Sequence, residues 1–145
     1  MNPFAFKDAI APEYAAAREG REVTINAITL AHAQFDADVV VIEGAGGWLS
    51  PINAQLDQSD IANALGAEVI MVVGMRLGCI HQARATASAI LQSGATLKAW
   101  IANEDGQGDP NFDDNVATIS RYVNAPLWAK IRRNDEAVYW VFDGP

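Results

Sequence analysis

The sequence predicts an α/β domain built on a mostly parallel, doubly wound sheet. Two observations carry this. Val39-Val40-Val41-Ile42-Glu43 and Val69 to Gly74 are continuous runs rich in β-branched residues, the habit of strands buried on both faces between helices. Helix-forming stretches alternate with these and with later apolar runs, which is the order of βαβ units.

Taken in order, Met1 to Ala11 reads as irregular, with Pro3 inside it and Pro12 just after it. Pro12-Glu13 starts a short helix through Ala15, Ala16 and Ala17 to Glu19, stopped by Gly20. Thr24 to Phe35 places Ile25, Ile28 and Leu30 among alanines and reads as a helix with one buried face, on whose surface His32 lies. The first strand, Val39 to Glu43, follows. Asp60 to Leu65 is helical and ends at Gly66; Val69 to Gly74 is the second strand. Ile80 to Leu91 is an alanine-rich helix ended by Gly94. Leu97 to Ala102 supplies a third strand and Asp113 to Val123 a further helix. Leu127 to Ile131 adds a short strand and Tyr139 to Phe142 an edge piece. Trp48, Trp100, Trp128 and Trp140 fall near the strands and read as packing residues.

Composition bounds the function. The 145 residues and 15.6 kDa suit a single domain spanning residues 1–145, and half the residues are apolar. A formal charge of −8 and a pI near 4.5 disfavour phosphate backbones and anionic lipid, so neither nucleic acid nor membrane is expected as a partner. Apolar runs such as Val69 to Val73 are too short to span a bilayer, and no signal peptide opens the chain. The lone Cys79 cannot form an internal bridge, which suits a reducing cytoplasm. With one Cys and two His, a structural zinc site is excluded.

In open parallel sheets ligands bind beyond the carboxyl ends of strands. After the first strand stands Glu43-Gly44-Ala45-Gly46-Gly47-Trp48, where bare amides can face an anion and Glu43 can hold a Mg²⁺ beside a phosphate. A plain tight turn with a solvated Glu43 is the competing reading. After the second strand, Gly78-Cys79-Ile80-His81 opens the long helix, where free N–H groups and the helix dipole favour a carboxylate. Against this stands an ordinary helix start with a solvated His81 and with Cys79 as a small packing residue. After the third strand come Asn103 and Glu104; Asn103 can present donor and acceptor to one edge of a purine, although Asn before acids and Gly106 is also ordinary turn chemistry. No Gly-x-Ser-x-Gly elbow and no Gly-x-x-x-x-Gly-Lys-Ser/Thr loop occur. None of the lysines, Lys7, Lys98 and Lys130, follows a Gly-rich loop.

VVVIEGAGGW (Val39 to Trp48), Pro51-Ile52, IMVVGMRLGCIH (Ile70 to His81) and Trp100-Ile101-Ala102-Asn103 together resemble the dethiobiotin synthetase family. So do Asn2 to Lys7 and Ile10-Ala11-Pro12, and the resemblance runs to about Ile131. It implies a P-loop NTPase-like fold and a cytoplasmic homodimer with sites at the subunit boundary. The implied reaction is ATP- and Mg²⁺-dependent closure of a ureido ring on 7,8-diaminononanoate with CO₂, in biotin synthesis. Matched residue by residue, Glu43 is the Mg²⁺ carboxylate and Gly44, Ala45 and Gly46 are backbone near the triphosphate. Gly47 lies by the substrate, Asn103 with Glu104 at the adenine, and Gly78, Cys79, Ile80 and His81 at the substrate carboxylate of the partner subunit. No catalytic side chain is carried over. Three departures stand out: His81-Gln82 replaces the family's Asn-His, Arg132-Arg133-Asn134 follows Ile131 where the family has Pro, and the front of the fold is missing. With that front go the P-loop lysine and threonine, the lysine that helps activate the diamine, and a second Mg²⁺-binding aspartate. The expectation is therefore the carboxyl-terminal part of such an enzyme, incomplete alone. A non-catalytic binding or dimerisation module that keeps the back half of the fold is the alternative.

Overall fold

Proline at the first position of a helix loses nothing by lacking an N–H, and α1 (Pro12–Arg18) starts on Pro12. The computed structural model describes residues 2–104, 108–133 and 138–141. These form two compact units, residues 1–67 and 68–145.

In the first unit α1 is followed by α2 (Ile25–His32) and α3 (Gln58–Ala64). The Thr24 hydroxyl accepts the Ala27 N–H and caps α2. Asp57 and Asp60 cap α3 reciprocally, and the Asp57 N–H donates to Asp60 Oδ2 at 2.7 Å. A small core of Ala16, Val23 and Ile52 is closed by Phe4, Phe6, Ile28, Leu56 and Ile61. The opening segment is irregular, as expected, and it is tied down. The Arg21 guanidinium lies 5.6 Å from the Phe4 ring and 5.0 Å from the Phe6 ring, and donates to the Ala5 and Pro3 carbonyls.

The expected strand Val39 to Glu43 does not form. Its residues have no strand partner among the described residues, and Val39 and Val41 are 77% and 89% exposed rather than buried on both faces. A strand exists only where a neighbour completes its backbone ladder. The β-branched run here stays irregular because nothing described lies alongside it to pair.

The second unit carries the sheet: β1 (Val69–Met75), β2 (Leu97–Glu104), β3 (Leu127–Ile131) and β4 (Val138–Trp140). The strands lie in chain order, with β1–β2 and β2–β3 parallel and β3–β4 antiparallel. The parallel crossovers run through α4 (Cys79–Gln92) and α5 (Phe112–Tyr122). Cys79, Ala83, Ala87 and Ile90 form the buried stripe of α4, and Phe112, Val116 and Ile119 that of α5, both at helical spacing. α4 packs on β1, β2 and α5, and the core holds Met71, Val73, Met75, the fully buried Trp100 and Ala102. The α/β, mostly parallel fold class is the observed one. Of the expected edge piece, Tyr139 and Trp140 lie in β4, whereas Phe142 lies outside the described residues. Among the described residues no helix is long and apolar enough to cross a membrane.

Candidate functional site

The residues singled out from the sequence fall in both units. In the first, Glu43 to Gly47 form an exposed turn that folds onto the start of α3. Gly46 holds φ at +91°, and a Cβ there would meet Ser50 Oγ at 2.5 Å. That hydroxyl accepts the Gly47 N–H at 2.7 Å, and the Ser50 N–H returns to the Gly47 carbonyl at 2.9 Å. Gly44 is pressed by Gln58, whose Oε1 would lie 2.9 Å from an added Cβ. The Gly47 amide is thus spent inside the turn, while Gly44, Ala45 and Gly46 are exposed. Glu43 is also exposed, and its carboxylate has no partner among the described residues.

In the second unit, Gly78 (φ +94°) turns the chain from β1 into α4, so that Gly78, Cys79, Ile80 and His81 line one wall of an open groove of about 1440 Å³. Arg76 and Arg84 extend this wall; Gly108 to Asn111 and Asp114 with Asn115 at the start of α5 form the other. The Cys79 side chain is buried as a packing residue, and its N–H donates to the Arg76 carbonyl at 2.9 Å. Among the described residues, the amides of this helix start left without a partner are therefore those of Ile80 and His81. The Arg84 guanidinium sits 4.1 Å from the centroid of the Tyr122 ring. Across the groove Asp109 accepts the Asn111 N–H at 2.9 Å and Asn115 Nδ2 at 2.7 Å, which fixes the entry into α5.

Asn103 and Glu104 close β2 at its carboxyl end. Asn103 stands between Gly74 of β1 and Ile131 of β3 by register, half-buried, with its side-chain amide free among the described residues. Glu104, on the opposite face by strand alternation, accepts the Asp109 N–H at Oε1 (3.0 Å) and the Arg133 N–H at Oε2 (3.1 Å). These two amides, the Asp109 N–H above all, hold the Glu104 carboxyl below the usual carboxylate range. Asp105 and Gly106, the rest of that turn, lie outside the described residues. Nearby, Arg132 reaches Asp113 at 2.6 Å and lies 4.2 Å from the Phe112 ring centroid, and Lys130 meets the same carboxylate at 3.0 Å. The Asp113 carboxyl is lowered, first by the Lys130 hydrogen bond.

Sequence reasoning missed Ser50, Gln58, Arg84, Asp109 and the Arg132–Asp113–Phe112 cluster. Only Asp109-Pro110-Asn111 carried a local signal, an Asp-Pro turn opening a helix. The others act through contacts that spacing does not announce.

A mostly parallel sheet with polar residues at its strand ends and a groove beside a helix start is the setting in which α/β domains commonly receive small molecules. A family model for the AAA domain matches residues 1–138, and the chain belongs to that family. It is similar to named ATP-dependent dethiobiotin synthetases: 44% identical over 133 residues to that of Xanthomonas campestris pv. campestris, 43% to that of Xanthomonas oryzae pv. oryzae and 38% to that of Xylella fastidiosa. Each match takes in 90% of this chain and 59% of the relative, so the chain spans about three-fifths of the length of the curated relatives it matches.

Proposed function

We propose that this chain contributes ligand-holding parts of an ATP-dependent dethiobiotin synthetase, a homodimeric cytoplasmic enzyme that closes a ureido ring on 7,8-diaminononanoate. What carries the reading is the 44% identity over 133 residues to an enzyme of that name. The site geometry agrees with it. Among the described residues Asn103 keeps its amide free at the carboxyl edge of the sheet, where it can read adenine. The Ile80 and His81 amides at the start of α4, with Arg84 along the same wall, suit the carboxylate of the nonanoate.

Mg²⁺ is ordinarily held by one or two carboxylates together with phosphate oxygens. Glu43 fits, as an exposed carboxylate without a competing partner among the described residues, beside the glycine amides. Among the described residues no group of three or more His, Cys, Asp or Glu gathers into a fuller cage. When bound, the ion neutralises charge on the phosphates.

In the reaction one amine adds to CO₂ and loses a proton, giving a carbamate. The carbamate oxygen takes the γ-phosphoryl group of ATP, releasing ADP. The second amine attacks the carbonyl carbon, the ring closes, and phosphate leaves. To this the chain contributes orientation of the base by Asn103 and of the substrate carboxylate by the α4 start. Gripping the phosphates takes a lysine in a Gly-rich loop, and none of Lys7, Lys98 and Lys130 occupies one. The chain alone is therefore expected to bind both ligands without turning over. Separate titrations with Mg·ATP and with 7,8-diaminononanoate test this, alongside an assay for ATP-dependent dethiobiotin formation. Ring closure by the chain alone would refute the division of labour. Failure to bind either ligand would leave the non-catalytic module as the surviving reading.

A further inference from the structure

A strand-end carboxylate in a nucleotide-binding domain invites the role of ligand, yet both oxygens of Glu104 are already engaged. Oε1 takes the N–H of Asp109 at 3.0 Å and Oε2 that of Arg133 at 3.1 Å, residues 5 and 29 positions away in sequence. The two amides belong to different structures. Asp109 is part of the groove wall that faces the start of α4. Arg133 lies in the segment leaving β3, next to Ile131, the register partner of Asn103. One carboxylate thus joins the wall of the groove to the segment beside the base-reading asparagine. Both ends are braced from behind. Asp109 is fixed to Asn111 and Asn115, and Arg132 is held against Phe112 and Asp113. The charged side chains with the strongest influence on Glu104 are Arg132 and Asp109, of opposite sign.

We propose that Glu104 is a positioning residue that sets the groove wall at Asp109 and the segment after β3 as one piece, so that both ligands depend on it although it touches neither. This rests on the reading of the groove and of Asn103 given above. It separates from direct contact with the base because a contact residue affects the nucleotide alone.

The test compares the wild-type chain with Glu104→Ala and Glu104→Gln. Calorimetric titrations with Mg·ATP and with 7,8-diaminononanoate are paired with site-resolved amide hydrogen exchange. In Glu104→Ala the Asp109 and Arg133 amides should exchange at least about ten-fold faster, as expected for lost bonds to a charged acceptor, while Ile101 inside β2 is unchanged. Affinity for both ligands should fall roughly ten-fold together. Glu104→Gln keeps one acceptor oxygen and turns an NH₂ toward the other amide, so it should fall between the two. Weakening of ATP alone would overturn the proposal in favour of direct contact. Faster exchange throughout the sheet would reduce Glu104 to a fold-stabilising residue. Unchanged ligand binding in Glu104→Ala would refute the positioning role by itself. Absence of both ligands' binding in the wild type would refute the ligase reading and the proposal with it.

Discussion

Gly46→Ala tests whether the glycine turn after Ile42-Glu43 is a built structure. Two costs add at this position. The backbone sits at φ +91°, where an L side chain costs about 1–2 kcal/mol. The new Cβ would also meet Ser50 Oγ at 2.5 Å, so the hydroxyl must swing away and give up the 2.7 Å bond from Gly47. That loss adds about 0.5–1.5 kcal/mol, for a total of about 1.5–3.5 kcal/mol. Ser50→Ala alone gives up the same bond and should cost about 1 kcal/mol. The double variant should therefore cost about what Gly46→Ala costs, because the bond can be lost only once. Gly78→Ala is the control: its φ is +94°, but an added Cβ finds nothing nearer than Gln82 Nε2 at 4.0 Å. It should show the backbone cost alone, about 1–2 kcal/mol. The two glycines lie in different compact units, so the assay is urea unfolding combined with amide exchange read within each unit. Gly46→Ala within about 0.5 kcal/mol of wild type, or a double variant equal to the sum of the singles, would refute the argument.

Acid should loosen the carboxyl edge of the sheet. Glu104 and Asp113 both have folded-state carboxyls lowered from their ordinary values, so their stabilisation is present above the ordinary carboxylate pKa and is lost as pH falls through the lowered ones. The protection of the Asp109 and Arg133 amides, taken relative to the intrinsic exchange rate at each pH, should therefore fall in acid in the wild type and lose that dependence in Glu104→Gln. Ile119 is fully buried on α5, so Ile119→Ala should cost about 2–5 kcal/mol and Ile119→Val about 0.5–1.5 kcal/mol by chemical denaturation; equal costs would mean the site collapses freely. β1 is an open edge in the described sheet and its Val72 is 60% exposed, while Val39 and Val41 are also bare. The isolated chain should self-associate, and light scattering should find species above 15.6 kDa that Val72→Lys diminishes. A monodisperse species at that mass would contradict this.

The helices were legible because their signals are local: Pro12 starts α1, Thr24 opens α2, and the stretch Asp113 to Val123 marks α5, although its first buried residue, Phe112, lay just outside that stretch. The strands divide on a different principle. Val69 to Gly74 and Val39 to Glu43 read alike, but only the first has β2 beside it to complete a ladder. A β-branched run states what a strand would bury, never whether a partner is there. The site divides in the same way. Glu43, Asn103 and the Gly78 to His81 turn stood out because strand ends and glycines mark places of exposure. Gly47 stood out for the same reason, and its amide is nevertheless consumed by Ser50, a side chain only the folded turn brings round. Glu104 carries this furthest. Its place at the end of β2 follows from the apolar run before it, but its work depends on Arg133, which is 29 residues on and delivered by two more elements. Residues that hold two segments together are invisible to motif reading, because neither segment alone contains the reason for them. When such a residue also sits where a ligand is expected, sequence assigns it to the ligand. Only its filled hydrogen bonds argue for the other role.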